Sequence, residues 1–279
     1  MSFLSPFARA ASARLRNSVF TSTSRRAFHT VPSTKPRFAR PSLLWGAAAA
    51  ILSTSALIGL GPVIHLDSPD VQPPEETMLD PATSIAFPTV MRIPSKIKIP
   101  TMPLVGLGVR TVSFLGLKVY SIGFYADLDN PDLKIPLDMN PDEKAEYIVR
   151  NCACVIRIVP TRTTSYAHLR DAFMRAMQQR IALAKKKGTL SEDDAQAIGS
   201  PMRKLKSLFP NSPLTKHTPL DIYLSAPTPG HPRVLVFRDL GAIESDWVAT
   251  EFVLHYFEGA GPSPPLKQTV LKRLESFEK

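Results

Sequence analysis

Arg110 is the one cation in the first of two apolar stretches of sequence that are typical of paired strands. Residues 109–114 and 117–125 are rich in β-branched and aromatic side chains, with a glycine at the corner between them. If that glycine closes a three-residue loop, Arg110 faces Tyr120, whereas a two-residue loop would place it opposite Ser121. Both registers allow two interpretations of Arg110. Its guanidinium extends into water at the sheet edge, or it lies in a site that binds an anion.

The other reactive side chains form no recognisable metal or nucleophile motif. Cys152 and Cys154 alternate with Ile156 and Ile158 on one face of a predicted strand. Two cysteines cannot build a disulfide framework, and no partner ligands follow at zinc-finger spacing, so we predict that both are buried apolar residues. The sequence contains no Walker loop, no dinucleotide-binding glycine motif and no Gly-x-Ser-x-Gly elbow.

The formal net charge of +10 is concentrated at the N-terminus. Residues 1–40 contain eight of the 34 Lys and Arg and no acid, which leaves 26 basic and 24 acidic residues in the remainder. A body with a net charge of only +2 does not support a nucleic-acid-binding function.

Residues 1–40 are predicted to be a mitochondrial transit peptide. Their composition is basic, rich in serine and free of acid, and Phe3, Leu4 and Phe7 can form the apolar face of an amphipathic helix. The alternative is a disordered basic tail.

Residues 41–64 are predicted to form one transmembrane helix. About 20 residues without a charge, at about 1.5 Å each, are long enough to cross the hydrocarbon core, and Trp45 suits the interface. Eight positive charges precede this run and Asp67 and Asp70 follow it, so the positive-inside rule places the body in the intermembrane space. The predicted location is the mitochondrial inner membrane, and residues 65–82 are predicted to be a proline-rich linker.

Residues 83–279 contain the strand and helix patterns of one α+β domain. Besides the two strands around Arg110, strands are predicted at 84–94, 152–159, 220–225 and 233–238. Helices are predicted from Asn140, from Thr164 to Lys187, from Ser191, from Ser200 to Phe209, from Ser245 or Asp246 to Gly259, and from Ser263. This order predicts a sheet with helices packed on it.

Three segments resemble signatures of the chalcone isomerase family. Gly108-Val-Arg110 followed by Val119-Tyr-Ser-Ile-Gly-Phe-Tyr125 resembles the first, and Val159-Pro-Thr-Arg-Thr-Thr-Ser-Tyr166 the strand that ends in a tyrosine opening a helix. Residues 250–259, with the segment from Ser263, resemble the C-terminal helices. The N-terminus further resembles the fungal mitochondrial branch, the altered-inheritance-of-mitochondria proteins. The resemblance implies an open-faced sandwich, a long antiparallel sheet covered by a layer of helices.

The resemblance also implies a cleft between the sheet and the helices, with Arg110 and Tyr166 at the family's catalytic positions. In chalcone isomerases the arginine steadies a phenolate or carbonyl oxygen, and the tyrosine orders a water or donates to the developing enolate. A fixed guanidinium in a dry cleft can stabilise such an oxyanion.

Three small polar residues of those enzymes are replaced here by bulky aromatic ones. Tyr120 stands in place of a threonine, Phe173 in place of an asparagine, and Tyr256, beside Phe257, in place of a threonine or serine. A cleft that keeps one cation and gains large rings predicts an apolar ligand with one anionic head, bound by these residues together with Arg110 and Tyr166. The alternative is that the rings simply fill the core.

The predicted function is therefore the binding of an apolar, carboxylate-bearing ligand, a fatty acid or haem, without chalcone cyclisation. Haem is the one cofactor considered, with His168 and His255 as candidate axial ligands. Two alternatives stay open: an intramolecular lyase acting on an enone, and an interaction or scaffold protein without a ligand.

Overall fold

The structure, a computed structural model, describes residues 76–95, 98–112 and 115–279. The predicted transit peptide and the predicted transmembrane helix of residues 41–64 both lie outside the described residues. Within the part of the chain that is described, no helix is long and apolar enough to span a membrane.

The described chain forms runs of consecutive strands separated by single helices or pairs of helices, as in an α+β domain. The strands are β1 (Thr77–Leu79), β2 (Ala86–Pro88), β3 (Val90–Met91), β4 (Met102–Val112), β5 (Leu117–Ala126), β6 (Cys154–Pro160), β7 (Thr164–Ser165), β8 (Pro213–Leu214), β9 (Leu220–Leu224), β10 (Val234–Phe237) and β11 (Gly241–Glu244). The helices are α1 (Pro141–Asn151), α2 (Tyr166–Lys186), α3 (Glu192–Ser207), α4 (Asp246–Leu254) and α5 (Pro264–Glu275).

Seven of these strands form one sheet in the order β11-β10-β9-β6-β5-β4-β3, and every neighbouring pair is antiparallel. β1 pairs with β2, and β7 pairs with β8, in two small separate sheets. The predicted pairing of Arg110 with Tyr120 is confirmed, and Gly116 has the positive φ, 65°, that was expected at the corner. The predicted three-residue loop was wrong, because a register shift after Arg110 pairs Val112 with Leu117 and leaves four residues between these two positions.

Alternating side chains of the central strands divide the core between the two faces of the sheet. On β5, Tyr120, Ile122 and Phe124 join the large cluster packed under the helices, whereas Tyr125 points into a smaller cluster on the other face. Phe87 of β2 lies in that smaller cluster, so the first strands cover part of the second face. The predicted burial of both cysteines on the helix-covered face is confirmed.

Capping residues set the helix starts largely as predicted. Asn140, Ser245 and Ser263 each accept a hydrogen bond from the first turn of their helix, which satisfies an N–H that would otherwise lack a partner. Ser165 does the same for α2, one residue beyond the predicted start at Thr164.

Several predicted element boundaries were wrong. The two helices predicted from Ser191 and Ser200 form the single helix α3, because Pro201 is accommodated inside it and Ile198 and Met202 continue one buried stripe. The helix predicted to run to Gly259 ends at Leu254. The single strand predicted at residues 84–94 is divided between β2 and β3, which belong to different sheets. The short strands β1, β7, β8 and β11 were not predicted, and β1 lies within the predicted linker of residues 65–82.

The first turns of α5 lie directly against β4. A Cβ atom at Gly108 would lie 2.1 Å from the backbone nitrogen of Leu266, so only glycine permits this approach. Two α5-side hydroxyls bond to the strand's backbone: Ser263 Oγ donates to Val109 O at 2.8 Å, and Thr269 Oγ1 donates to Leu107 O at 2.6 Å. Helix and strand are therefore held in one relative position beside Arg110.

We predict that Gly108→Ala strongly destabilises the fold. The added methyl meets helix backbone, which cannot rotate away, so overpacking should cost about 1–3 kcal/mol or more in urea unfolding. Gly199→Ala is the matched control, because Gly199 lies inside α3 and its added Cβ would meet only the Arg203 side chain, at 3.5 Å. That control should gain about 0.5–1 kcal/mol. Equal effects of the two substitutions would contradict the packing argument.

Candidate functional site

Arg110 and Tyr120 face each other across the β4–β5 pair. The guanidinium carbon lies 5.7 Å from the centroid of the Tyr120 ring, which is cation–π distance. Tyr120 is buried, while Arg110 is half-buried just before the β-bulge that separates it from Thr111. No ion pair within 4.0 Å joins Arg110 to any carboxylate of the described residues.

Tyr256 enters the same site from a tight turn that follows α4. Its backbone N–H donates to Val253 O at 3.0 Å, and its side chain is buried. The turn closes at Gly261, whose φ is +58°, and a Cβ atom there would lie 2.4 Å from Tyr256 O. The glycine therefore lets the chain fold back and direct Tyr256 into the core.

Burial keeps the two phenols of the site in their neutral form. It raises the pKa of Tyr120, and the charge of Arg110 and a hydrogen bond with it only partly oppose that rise. Burial and the nearby Tyr120 raise the pKa of Tyr256 well above its usual value, again against the pull of Arg110. Both hydroxyls therefore remain protonated near neutral pH and can donate hydrogen bonds.

His255, next to Tyr256 in the chain, is also neutral near pH 7. Its ring centroid is 5.8 Å from that of Tyr256. Burial, followed by the charges of Arg180 and Arg110, lowers the pKa of His255 to about 4. The site thus combines one cation with three neutral, polar aromatic side chains.

Phe173 and Phe257 are packed in the core next to this group. Phe173 on α2 lies 5.0 Å from the Phe252 ring, and Phe252 lies 6.4 Å from Tyr256. Phe257 makes an edge-on contact with Phe124 of β5 at 4.7 Å. The structure therefore gathers Arg110, Tyr120 and Tyr256 into one place, and joins the two phenylalanines to it through other rings.

Tyr166 and His168 lie at the start of α2, away from these contacts. Tyr166 is partly buried against the main core cluster, and its backbone N–H donates to Ser212 O at 3.1 Å. His168 is exposed. Its backbone N–H donates to the hydroxyl of Ser165, which caps the helix. The two candidate axial ligands lie apart in character: His168 is exposed to solvent, whereas the His255 ring lies against that of Tyr256.

A groove of about 600 Å³ lies on the outer side of α4, between α1, α2 and α5. Arg180 pairs there with Glu251 and Glu258, and Lys187 also reaches Glu258, at 3.3 Å. Its apolar lining is contributed by Leu183, Ala184, Trp247, Leu254 and Phe257. Sequence reasoning missed this groove because its charges come from separate segments whose only link is tertiary packing.

The chain's sequence places it in a family. Residues 100–138 and 137–271 match the sequence profile described as "Chalcone isomerase like". The chain belongs to the chalcone isomerase-like family. The matched range includes β4 with Arg110, the start of α2 with Tyr166, and the turn that carries Tyr256. The family predicted from three short segments is therefore confirmed.

Two fungal relatives carry the name altered inheritance of mitochondria protein 18, mitochondrial. The Saccharomyces cerevisiae protein is 25% identical over 183 residues, which cover 53% of this chain and 56% of the relative. The Eremothecium gossypii protein is 29% identical over 175 residues, covering 52% of this chain and 54% of the relative. An uncharacterized Schizosaccharomyces pombe protein is 32% identical over 125 residues, or 38% of this chain and 44% of the relative. The matches thus span about half the length of these relatives.

The fold also matches a solved structure, that of a fatty-acid binding protein from Arabidopsis thaliana. The TM-score is 0.54 with 19% identity, and the match covers 72% of this chain and 98% of that one. At this identity the comparison establishes the shared fold. The predicted chalcone isomerase-like arrangement of sheet and helices is confirmed for the domain.

We predict that His255 makes folding measurably acid-sensitive. Its pKa is about 4 in the folded protein and near the ordinary 6.5 when unfolded, so between these values only the unfolded state binds the proton. Proton uptake by His255 on unfolding therefore lowers the free energy of unfolding as the pH falls from about 6.5 towards 4. His255→Gln cannot take up this proton, so the free energy of unfolding of the variant, minus that of wild type, should increase as the pH falls through this range in urea melts.

The control for this measurement is His168→Gln, at an exposed position on α2. Because the His168 side chain is exposed, this variant reports the effect of removing an imidazole that the fold does not bury. A pH-independent difference between His255→Gln and wild type would contradict the predicted burial of a neutral imidazole.

Proposed function

We propose that this chain is a mitochondrial protein that binds an apolar, carboxylate-bearing ligand at Arg110, without chalcone cyclisation. A fatty acid is the ligand class to test first, because a protein of the same fold binds one. The mitochondrial assignment draws on the names of the fungal relatives.

The proposal depends on the absence of an ion pair between Arg110 and any carboxylate of the described residues. Its guanidinium has no carboxylate partner among the described residues and is flanked by the buried phenols Tyr120 and Tyr256. A carboxylate can form a charge-assisted, bidentate pair with the guanidinium and accept a further hydrogen bond from a phenol. In water-poor surroundings such bonds are stronger than at an open surface.

The acyl chain is proposed to run along Phe257. This side chain belongs both to the core next to the site and to the lining of the groove of about 600 Å³. A volume of that size is in the range of small-molecule sites, and Leu254 and Trp247 extend its apolar surface. Phe257 would therefore separate the carboxylate end of the site from the space that receives the tail.

We favour a fatty acid over haem for two reasons. His168 faces solvent, and His255 is packed on a tyrosine ring, so neither is presented towards an open space large enough for a macrocycle. In addition, a single cation suits one carboxylate, whereas haem carries two propionates.

Replacing Arg110 should weaken ligand binding more than it changes stability. Arg110→Ala, made in the unit Leu66–Lys279, should keep the melting temperature within a few degrees and weaken binding of palmitate about tenfold or more, as loss of one charge-assisted bond implies. Arg110→Lys should restore binding only in part, because an ammonium lacks the planar fork. Thermal melts and fatty-acid titrations on the same preparations provide both readings.

Arg203→Ala is the matched control, since Arg203 is an exposed arginine on α3 and should leave binding unchanged. A large drop in melting temperature for Arg110→Ala with unchanged affinity would make Arg110 a structural residue and remove the proposed anchor.

The chain is further proposed to be anchored in the mitochondrial inner membrane by residues 41–64, with residues 83–279 in the intermembrane space. The support is the charge step in the sequence, from eight basic residues before the uncharged run to Asp67 and Asp70 after it.

Protease protection tests this topology. The protein should resist carbonate extraction, and its C-terminus should be protected in intact mitochondria but cleaved in mitoplasts. Protection that persists in mitoplasts would place the domain in the matrix and reverse the proposed orientation.

A further inference from the structure

Several segments without acidic residues meet at the end of the sheet where the β4–β5 hairpin turns. Thr161 follows β6 and bonds to both Val119 O and Lys118 O, while His217 N–H donates to Pro160 O at 2.9 Å. Lys216 N–H donates to Thr163 Oγ1 at 3.3 Å, which holds the segment before β9 at the same end. The name "hairpin end" is used here for the exposed residues Val112, Leu115, Leu117, Lys118, Arg162 and Lys216.

The hairpin end exposes apolar side chains at its tip. Leu115 is 68% exposed, Leu117 is 44% exposed and Val112 is 39% exposed. Val112 and Leu117 are paired across the two strands, so these side chains lie close together rather than scattered. All three lie next to the turn between β4 and β5 and leave more than a third of their surface exposed.

A basic rim surrounds this apolar tip. Lys118, Arg162 and Lys216 are exposed, and none forms an ion pair within 4.0 Å with a described carboxylate. Lys118 Nζ donates instead to the carbonyl of Ala82 at 2.5 Å.

The sequence around the rim reinforces this charge. The stretches 81–126, 159–170 and 208–220 contain no Asp or Glu, and the first of them alone contains five Lys or Arg. The nearest acid shown by the hydrogen bonds is Asp80, which is buried and accepts from Ala82 N–H and the Thr83 hydroxyl, so it adds no exposed negative charge to the rim.

We propose that the hairpin end is a docking surface for a lipid bilayer rich in anionic phospholipid. Exposed apolar side chains ringed by Lys and Arg are the pattern of interfacial membrane binding, in which the apolar groups enter the headgroup boundary and the cations bind the anionic lipids. A projecting tip can enter deformable lipid, whereas a protein partner would need a matching concave surface of about 1,000 Å² or more in total.

Chain length agrees with this partner. Eleven residues, 65–75, lie between the predicted membrane span and the first described residue. Fully extended they reach about 40 Å at most, so the proposed membrane anchor, on which this step rests, would keep the domain within that distance of a bilayer. Docking does not require the proposed ligand, but it would bring Arg110, two residues from Val112, towards the lipid surface.

The test measures lipid contact at the hairpin end in the full chain reconstituted into vesicles. Leu117→Cys is labelled with an environment-sensitive fluorophore, and Leu137→Cys, also an exposed leucine, is the matched control. Leu137 lies at the opposite end of the sheet, because its carbonyl accepts from Lys144, which also bonds the C-terminal carbonyls of α5. The native cysteines are buried, and unmutated protein provides the labelling blank.

In vesicles containing phosphatidylglycerol, the label at position 117 should shift to shorter wavelength and be quenched by nitroxide-bearing lipid, while the label at 137 should do neither. Pure phosphatidylcholine vesicles should produce little of either effect. Arg162→Glu and Lys216→Glu should each weaken the response about fivefold or more, as loss of a cation at an anionic surface implies.

An unchanged label at position 117 in anionic vesicles would overturn the proposal, and so would an equal response in neutral ones. A response to soluble polyglutamate but not to vesicles would assign the surface to an acidic protein and also overturn it. Because fatty-acid affinity of Arg110→Ala is measured separately, failure of docking and failure of ligand binding remain distinguishable.

Discussion

The antiparallel pairing of β4 with β5 is the contact on which the rest of the structure depends. It sets Arg110 opposite Tyr120, and the other edge of β5 then pairs Tyr120 with Pro160, so the sheet is built outwards from this hairpin. A slip of one residue would turn Ile122 and Phe124 out of the helix-covered core, which makes the register energetically well defined. Both the candidate site and the hairpin end follow from it, one along the strands and the other at their turn.

The electrostatics of the site favour holding an anion over moving a proton. Burial acts on acids and bases alike by disfavouring their charged forms, so Tyr120, Tyr256 and His255 are all neutral around Arg110 near pH 7. None of these groups has a pKa close to neutrality, where general acid–base catalysis is most effective. The guanidinium therefore offers a fixed positive charge among donors that do not titrate, which suits a bound carboxylate.

One short turn links this site with the groove on the far side of α4. The turn directs Tyr256 inwards to the site, while Glu258, two residues later, points outwards and pairs with Arg180 and Lys187. Phe257 stands between them and contacts both the sheet and the groove. The conformation is available because Gly261 accepts a positive φ where any side chain would meet the Tyr256 carbonyl.

The sequence by itself determined the family, the α+β class and the pairing of Arg110 with Tyr120, because these depend on local patterns. Strand alternation, a glycine at a tight turn and capping side chains such as Asn140 and Ser263 act within a few residues of each other. The end of α4 and the continuity of α3 through Pro201 were decided by tertiary packing, which overrides local signals. Only the packing of distant segments decided which residues surround Arg110. The same packing brings Arg180 to Glu251 and Glu258 in the groove. The same holds for the hairpin end, where Lys118, Arg162 and Lys216 come together only when three acid-free segments fold against each other.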